Sequence, residues 1–159
     1  MSVALDTGVK LVRNVGRYNI GAGSLAELQP LLASRRAAAR AAGQGGGVVF
    51  LVDEFFRGDA GLPARLGLQP GDALQFVETA DEPKTDGIDA VVADLHARGL
   101  ARPAALVGLG GGITMDTAKS VSNLLTNGGR AADYQGWDLV RVPGIFKIGI
   151  PSISGTGAE

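Results

Sequence analysis

The sequence predicts an α/β fold: a Rossmann-like parallel sheet with helices on both faces. Three observations carry that prediction. Short continuous apolar runs, VVFLV at 48–52 and AALVGL at 104–109, have the make-up of strands buried on both faces. Stretches with helical periodicity alternate with these runs along the chain. Twenty-five glycines, about twice the usual share, fall largely where strands should turn into helices. Such alternation specifies parallel strands joined by right-handed crossovers, and the 159 residues are read as one domain, 1–159.

The elements follow in chain order. Residues 9–12 and 17–20 are short β-favouring pieces, followed by GAG at 21–23. Ser24 with Glu27 has the S-x-x-E spacing of a capping box, and the leucine- and alanine-rich run from 25 to about 42 has high helix propensity, so a first helix is expected from Ser24. GQGGG at 43–47 stops it. The buried strand 48–52 ends at Asp53, a short helix with irregular pieces fills 54–67, and 73–77 is the next strand. Ile88, Val91, Val92 and Leu95 recur at i, i+3, i+4 and i+7, an amphipathic helix opened by Asp86. After the strand 104–109, a helix over 113–127 sets Thr117, Ala118, Val121 and Leu125 against a polar face of Asp116, Lys119, Ser120, Asn123 and Asn127. An irregular stretch with Trp137 leads to a last strand at 146–150 and the terminal PSISGTGAE.

Composition excludes several function classes. Fifteen basic and sixteen acidic residues, scattered along the chain, leave no footprint for nucleic acid or for an anionic membrane. No segment approaches the roughly 18 uninterrupted apolar residues of a membrane span, and the N-terminus lacks the apolar core of a leader, so a cytoplasmic location is expected. Without cysteine there is no disulfide framework and no thiolate metal site. His96 offers the one imidazole, and its place late in an amphipathic helix reads as surface.

In an open α/β sheet ligands sit at the carboxyl ends of the strands. Three loops qualify. At Gly110, Gly111 and Gly112 the backbone N–H groups are unobstructed and the following helix adds its positive dipole end, which suits a pyrophosphate; a merely tight turn is the competing explanation. Asp116, in the first turns of that helix, either complements the dipole or binds a hydroxyl. AKS at 118–120 resembles the end of a P-loop, yet the second glycine is missing and Lys119 lies about 10 Å along the helix from Gly112, so a P-loop is rejected. GAGSLA at 21–26 also fits G-x-G-x-x-[GA], with Asp53 thirty residues after Gly23 where about twenty is usual. Asp53 is placed either to accept hydrogen bonds from a ribose or simply to cap the next helix. The third loop, SISGTG at 152–157, offers hydroxyls and bare backbone for phosphate, ribose or carboxamide contacts.

Together these residues resemble the iron-containing (group III) alcohol dehydrogenases, which share a fold with dehydroquinate synthase and glycerol dehydrogenase. The family pattern GGGSxxDxAK is matched by GGGITMDTAK at 110–119, and its PTTAGTGSE by PSISGTGAE at 151–159. The likeness covers the whole chain. It implies that this is the N-terminal dinucleotide-binding domain, that Gly111 and Gly112 approach the pyrophosphate, that Asp53 contacts the adenosine ribose, and that Ser152 and Ser154 line the cofactor cleft. It implies a structural role for GAG at 21–23. NAD is the expected cofactor, with NADP the alternative, because a carboxylate at Asp53 repels a 2′-phosphate.

YQGWDLV at 134–140 and ISGTGAE at 153–159 look most like the branch that oxidises the C8 alcohol of 3-deoxy-D-manno-octulosonate. The implied substrate is therefore a small alcohol or sugar acid, and the implied full-length enzyme a homodimer. Two departures stand out: Ile113 replaces a family serine and Ile153 a threonine. The family's iron or zinc ligands, one Asp and three His, come from a later all-helical domain, and His96 matches none of them, so this chain alone is expected to be inactive. Two rivals stay open: a stand-alone nucleotide-binding module that pairs with a catalytic subunit, and a fragment of a dehydroquinate synthase-like lyase.

Overall fold

The computed structural model describes residues 15–155 and 157. Four parallel strands, β1 (Val48–Asp53), β2 (Ala73–Val77), β3 (Ala105–Gly110) and β4 (Lys147–Pro151), form one sheet in the order β2-β1-β3-β4. The helices are α1 (Leu28–Ala41), α2 (Leu62–Leu66), α3 (Thr85–Ala97) and α4 (Gly112–Asn127). The predicted parallel α/β sheet is therefore present, with each predicted strand from residue 48 onward found within a residue of its place.

Alternation along β1 explains the two layers. Val48, Phe50 and Val52 pack with Leu28 and Leu32 of α1 and Leu62 and Leu66 of α2, while Val49 and Leu51 pack with Ile88 and Leu95 of α3 and Val121 and Leu124 of α4. All five of these β1 side chains are fully buried, each contributing about 1.5–3 kcal/mol. A strand covered on both faces needs no polar alternation, hence the unbroken apolar run. Close packing also fixes a glycine in β3: a methyl at Gly108 would stand 3.0 Å from the Ala118 Cβ, so α4 lies directly on the strand there.

The chain moves from β1 outward to β2, then returns across β1 to β3 and on to β4. With right-handed crossovers, that reversal sends α2 to one face and α3 and α4 to the other. The switch point lies between β1 and β3, and Asp53 and Gly110 end those strands.

The N-terminal ends of β1 and β2 are joined by a buried ion pair. Arg36 of α1 donates to both Asp72 oxygens at 2.6 Å and to the Gly46 carbonyl at 3.0 Å. Asp72 also accepts from Val48 N at 2.9 Å and Gln69 N at 2.8 Å. Burial alone would raise the Asp72 pKa, but these hydrogen bonds and the guanidinium charge outweigh it and hold the carboxyl below its ordinary value.

Three local expectations fail. Ser24 makes no side-chain cap: residues Ser24–Glu27 form a 3-10 turn, the α-helix begins at Leu28, and Glu27 instead meets Arg17 at 3.3 Å. Residues 17–20 are exposed and form no strand, since the sheet offers them no neighbour; the piece at 9–12 lies outside the described residues. α3 opens at Thr85 rather than Asp86, with no side-chain cap. Among the described residues no helix is long and apolar enough to cross a membrane.

Candidate functional site

Asp53 is the last residue of β1 because the strand stops where its carboxylate caps the next turn. Its Oδ1 accepts from Phe55 N at 3.0 Å and from Thr79 Oγ1 at 3.3 Å. The capping alternative is thus realised, but it uses one oxygen; Oδ2 has no protein donor among the described residues. Thr79 follows β2, so this contact ties the carboxyl ends of neighbouring strands. A shallow cleft lined by Asp53, Glu54, Phe55, Glu78, Thr79 and Ala80 opens here. Three of its six lining residues are carboxylates and none is basic. The Phe55 ring stands 85% exposed at its edge.

The glycine turn lies against this cleft, and its glycines do different work. Gly110 is buried, and a Cβ there would fall 2.6 Å from Thr114 Oγ1 and 2.8 Å from the Asp53 Cβ. That position is glycine because β1, β3 and α4 converge on it. Gly111 is partly exposed, and among the described residues a Cβ there would meet only Ile153 Cδ1, at 3.8 Å. The turn is therefore tight at its first glycine and open at its second. Gly111 is also the N-cap of α4, and no side chain caps the helix. Gly112 opens the helix, so the first-turn N–H groups are left for water or an anion, with the helix dipole behind them.

β4 brings the third loop to the same place. Gly110 pairs with Pro151, and Ser152 N donates to the Gly110 carbonyl at 2.9 Å. Ile153 then lies over Gly111. Ser152 and Ser154 are exposed on this loop; residues 156, 158 and 159 of the terminal motif lie outside the described residues. Asp53, Gly110, Gly111, Gly112 and Ser152 thus meet at one end of the sheet. Asp116 is exposed on α4 and its carboxylate accepts from Lys119 Nζ at 3.3 Å. Among the described residues no strand precedes GAG at 21–23, and a methyl at Gly21 or Gly23 would touch none of them.

Sequence reasoning missed Thr79, Glu78 and Thr114. The first two follow β2 directly, so the carboxyl-end rule applied to that strand, as it was to the other three, points to them. Thr114 looked like one more polar residue in a helix.

The residues present fit a dinucleotide, through the open Gly111 backbone, the uncapped α4 and the unpaired Asp53 oxygen. They do not fit a metal: His96 is exposed on α3, and among the described residues no three His, Asp or Glu side chains gather to hold an ion.

Residues 16–159 match the family described as iron-containing alcohol dehydrogenase. The chain is 46% identical over 55 residues to the NAD-dependent methanol dehydrogenase of Bacillus methanolicus, covering 35% of this chain and 14% of that one. It is 38% identical over 84 residues to the sulfoacetaldehyde reductase of Bilophila wadsworthia (strain 3_1_6), covering 53% of this chain and 21% of that one. Its fold is similar to the crystal structure of sulfoacetaldehyde reductase from Bifidobacterium kashiwanohense in complex with NAD+, with a TM-score of 0.57 and 24% identity over 87% of this chain and 35% of that one. The matched stretches thus span about a fifth or less of the curated relatives and about a third of that solved structure.

Proposed function

This chain belongs to the iron-containing alcohol dehydrogenase family, and from that premise we propose that it is the dinucleotide-binding part of an oxidoreductase that oxidises a primary alcohol with NAD. The observation that carries the reading is the junction at the switch point, where Asp53 and Gly110 touch beneath an uncapped sixteen-residue helix. Bound NAD supplies the hydride acceptor. The chain's own residues do the holding: the Gly111 and Gly112 backbone and the α4 N-terminus receive the pyrophosphate, and Asp53 Oδ2 accepts from the adenosine ribose. Ser152 and Ser154 would line the cofactor from the loop after β4, where Ser152 N donates to the Gly110 carbonyl. Three carboxylates along the cleft disfavour the extra phosphate of NADP. The resemblance to the family would place the ligands of the catalytic metal in a further all-helical domain.

For substrate we propose a sugar acid, 3-deoxy-D-manno-octulosonate, oxidised at its C8 hydroxyl. The support is sequence likeness at 134–140 and 153–159. Calorimetric titration of this chain with NAD+ and NADP+ tests the cofactor reading: binding of NAD+ in preference to NADP+, lost in Gly111→Leu, is expected. Failure of NAD+ to bind, or unchanged affinity in Gly111→Leu, refutes it. The protein isolated from its native source tests the substrate: octulosonate-dependent NADH formation faster than with simple alcohols is expected, and the reverse order refutes the octulosonate assignment alone.

A further inference from the structure

An exposed apolar side chain standing alone on a surface is ordinary and needs no explanation. Phe55 differs because it is held in place beside the cleft. Its backbone N–H is tied to Asp53 Oδ1 at 3.0 Å, and its ring meets that of Phe56 edge to face, with centroids 5.2 Å apart and planes at 88°. Phe56 in turn packs against the core that β1 shares with α1 and α2. The exposed ring thus leans on an anchored one, two residues beyond the carboxylate that ends β1.

The surroundings decide what suits this ring. Asp53, Glu54 and Glu78 line the same cleft, and no basic residue does. Arg57 offsets one of these charges, bonding Glu54 at 2.9 Å with its guanidinium 4.7 Å from the centroid of the Phe76 ring. Asp53 and Glu78 have no basic partner among the described residues. Like charge therefore disfavours a phosphate here. An aromatic face bordered by groups that only accept hydrogen bonds suits a flat, uncharged ring carrying donors, and a purine base with an amino group has that chemistry.

We propose that Phe55 is the platform for the base of the bound dinucleotide: adenine stacks on the Phe55 ring while its ribose bonds Asp53. The inference rests on the dinucleotide reading above and deepens it, giving the base a contact separate from that of the pyrophosphate. Removing an aromatic platform from beneath a base costs roughly 5- to 150-fold in affinity.

The test uses the 159-residue chain with NADH, adenosine and reduced nicotinamide mononucleotide, which lacks adenine, as probes. Phe55→Ala is expected to weaken NADH and adenosine alike by about tenfold or more, to leave the mononucleotide unchanged, and to keep the urea midpoint, because the ring is exposed. Phe55→Trp keeps a platform and is expected to bind NADH within about threefold of wild type. Adenosine should quench the emission of the added indole and leave that of Trp137 in the wild-type chain unchanged. A ring with a structural role alone would shift the midpoint and not the split between adenosine and the mononucleotide. NADH bound equally by Phe55→Ala and wild type overturns the proposal, as does an equal loss of adenosine and the mononucleotide. A wild-type chain that binds neither NADH nor adenosine overturns the dinucleotide reading itself, a result distinct from the other two.

Discussion

Replacing Asp72 with asparagine keeps the side chain's shape and removes its charge, which isolates what the buried ion pair contributes. The Asp72 side chain is 1% exposed and that of Arg36 4%, so the guanidinium left behind has no route to water. Asp72 receives four hydrogen bonds; the amide can still accept from Val48 N, but its NH2 group faces donors from Arg36 or Gln69. Breaking a buried pair by removing one partner costs about 3–5 kcal/mol. For a domain of this size each kcal/mol moves the thermal midpoint by about 2–4 °C, so Asp72→Asn should melt roughly 10 °C below wild type. Urea unfolding followed by far-UV circular dichroism measures the loss.

The double variant Arg36→Met/Asp72→Asn removes the stranded charge and should be more stable than Asp72→Asn alone. Acid adds a signed check. A carboxyl whose pKa is lowered in the folded state stabilises the fold above its unfolded pKa, near 4, and that stability is lost as pH falls through the lower folded value. Wild type should therefore lose stability more steeply than Asp72→Asn below about pH 4. A loss under about 1 kcal/mol, or a double variant whose losses simply add, would refute the reasoning.

The other predictions concern the site. Gly110→Ala places a methyl 2.6 Å from Thr114 Oγ1 and 2.8 Å from the Asp53 Cβ, and should lose about 1–3 kcal/mol of stability together with NADH affinity. Gly111→Ala meets nothing nearer than 3.8 Å, so it should unfold like wild type in urea yet bind NADH more weakly. Asp53→Asn retains an acceptor for Phe55 N and Thr79 but loses a carboxylate oxygen; fluorescence titration should show weaker NADH binding and a narrower preference over NADPH, by about tenfold. Calorimetric titration of the chain with zinc should show no stoichiometric site, and tight one-to-one binding would contradict the absence of a ligand cluster among the described residues.

How much of this was legible depended on whether the physics was local. The runs at 48–52 and 104–109 announced strands buried on both faces, and the alternation of elements announced a parallel sheet, because burial and crossover handedness act over short spans. The capping box at Ser24 failed because a cap motif competes with what surrounds it: Glu27 found Arg17, and Gly23 with positive φ set the turn instead. Residues 17–20 had strand composition but no neighbouring strand, and propensity alone does not make a ladder. Arg36 and Asp72 gave no local sign, being 36 residues apart and joined only by the fold.

The glycine turn shows the same division within three residues. The sequence posed tight turn and phosphate cradle as alternatives, since both use glycine for its missing side chain. In the structure they are consecutive. Gly110 is excluded from bearing a side chain by Asp53 and Thr114, and this contact is what brings the carboxylate, the turn and the start of α4 into register. Gly111, one peptide further, is then held with its backbone facing outward. The packing constraint at the first glycine creates the opening at the second, so a variant that loosens Gly110 should degrade binding even where it leaves every N–H of α4 in place. The Arg36–Asp72 pair, at the opposite end of the strands, supplies the contrast: at temperatures where Asp72→Asn remains folded, it should bind NADH as wild type does. A loss of affinity there would mean that the two ends of the sheet are coupled and that the site is not set by the contacts around Gly110 alone.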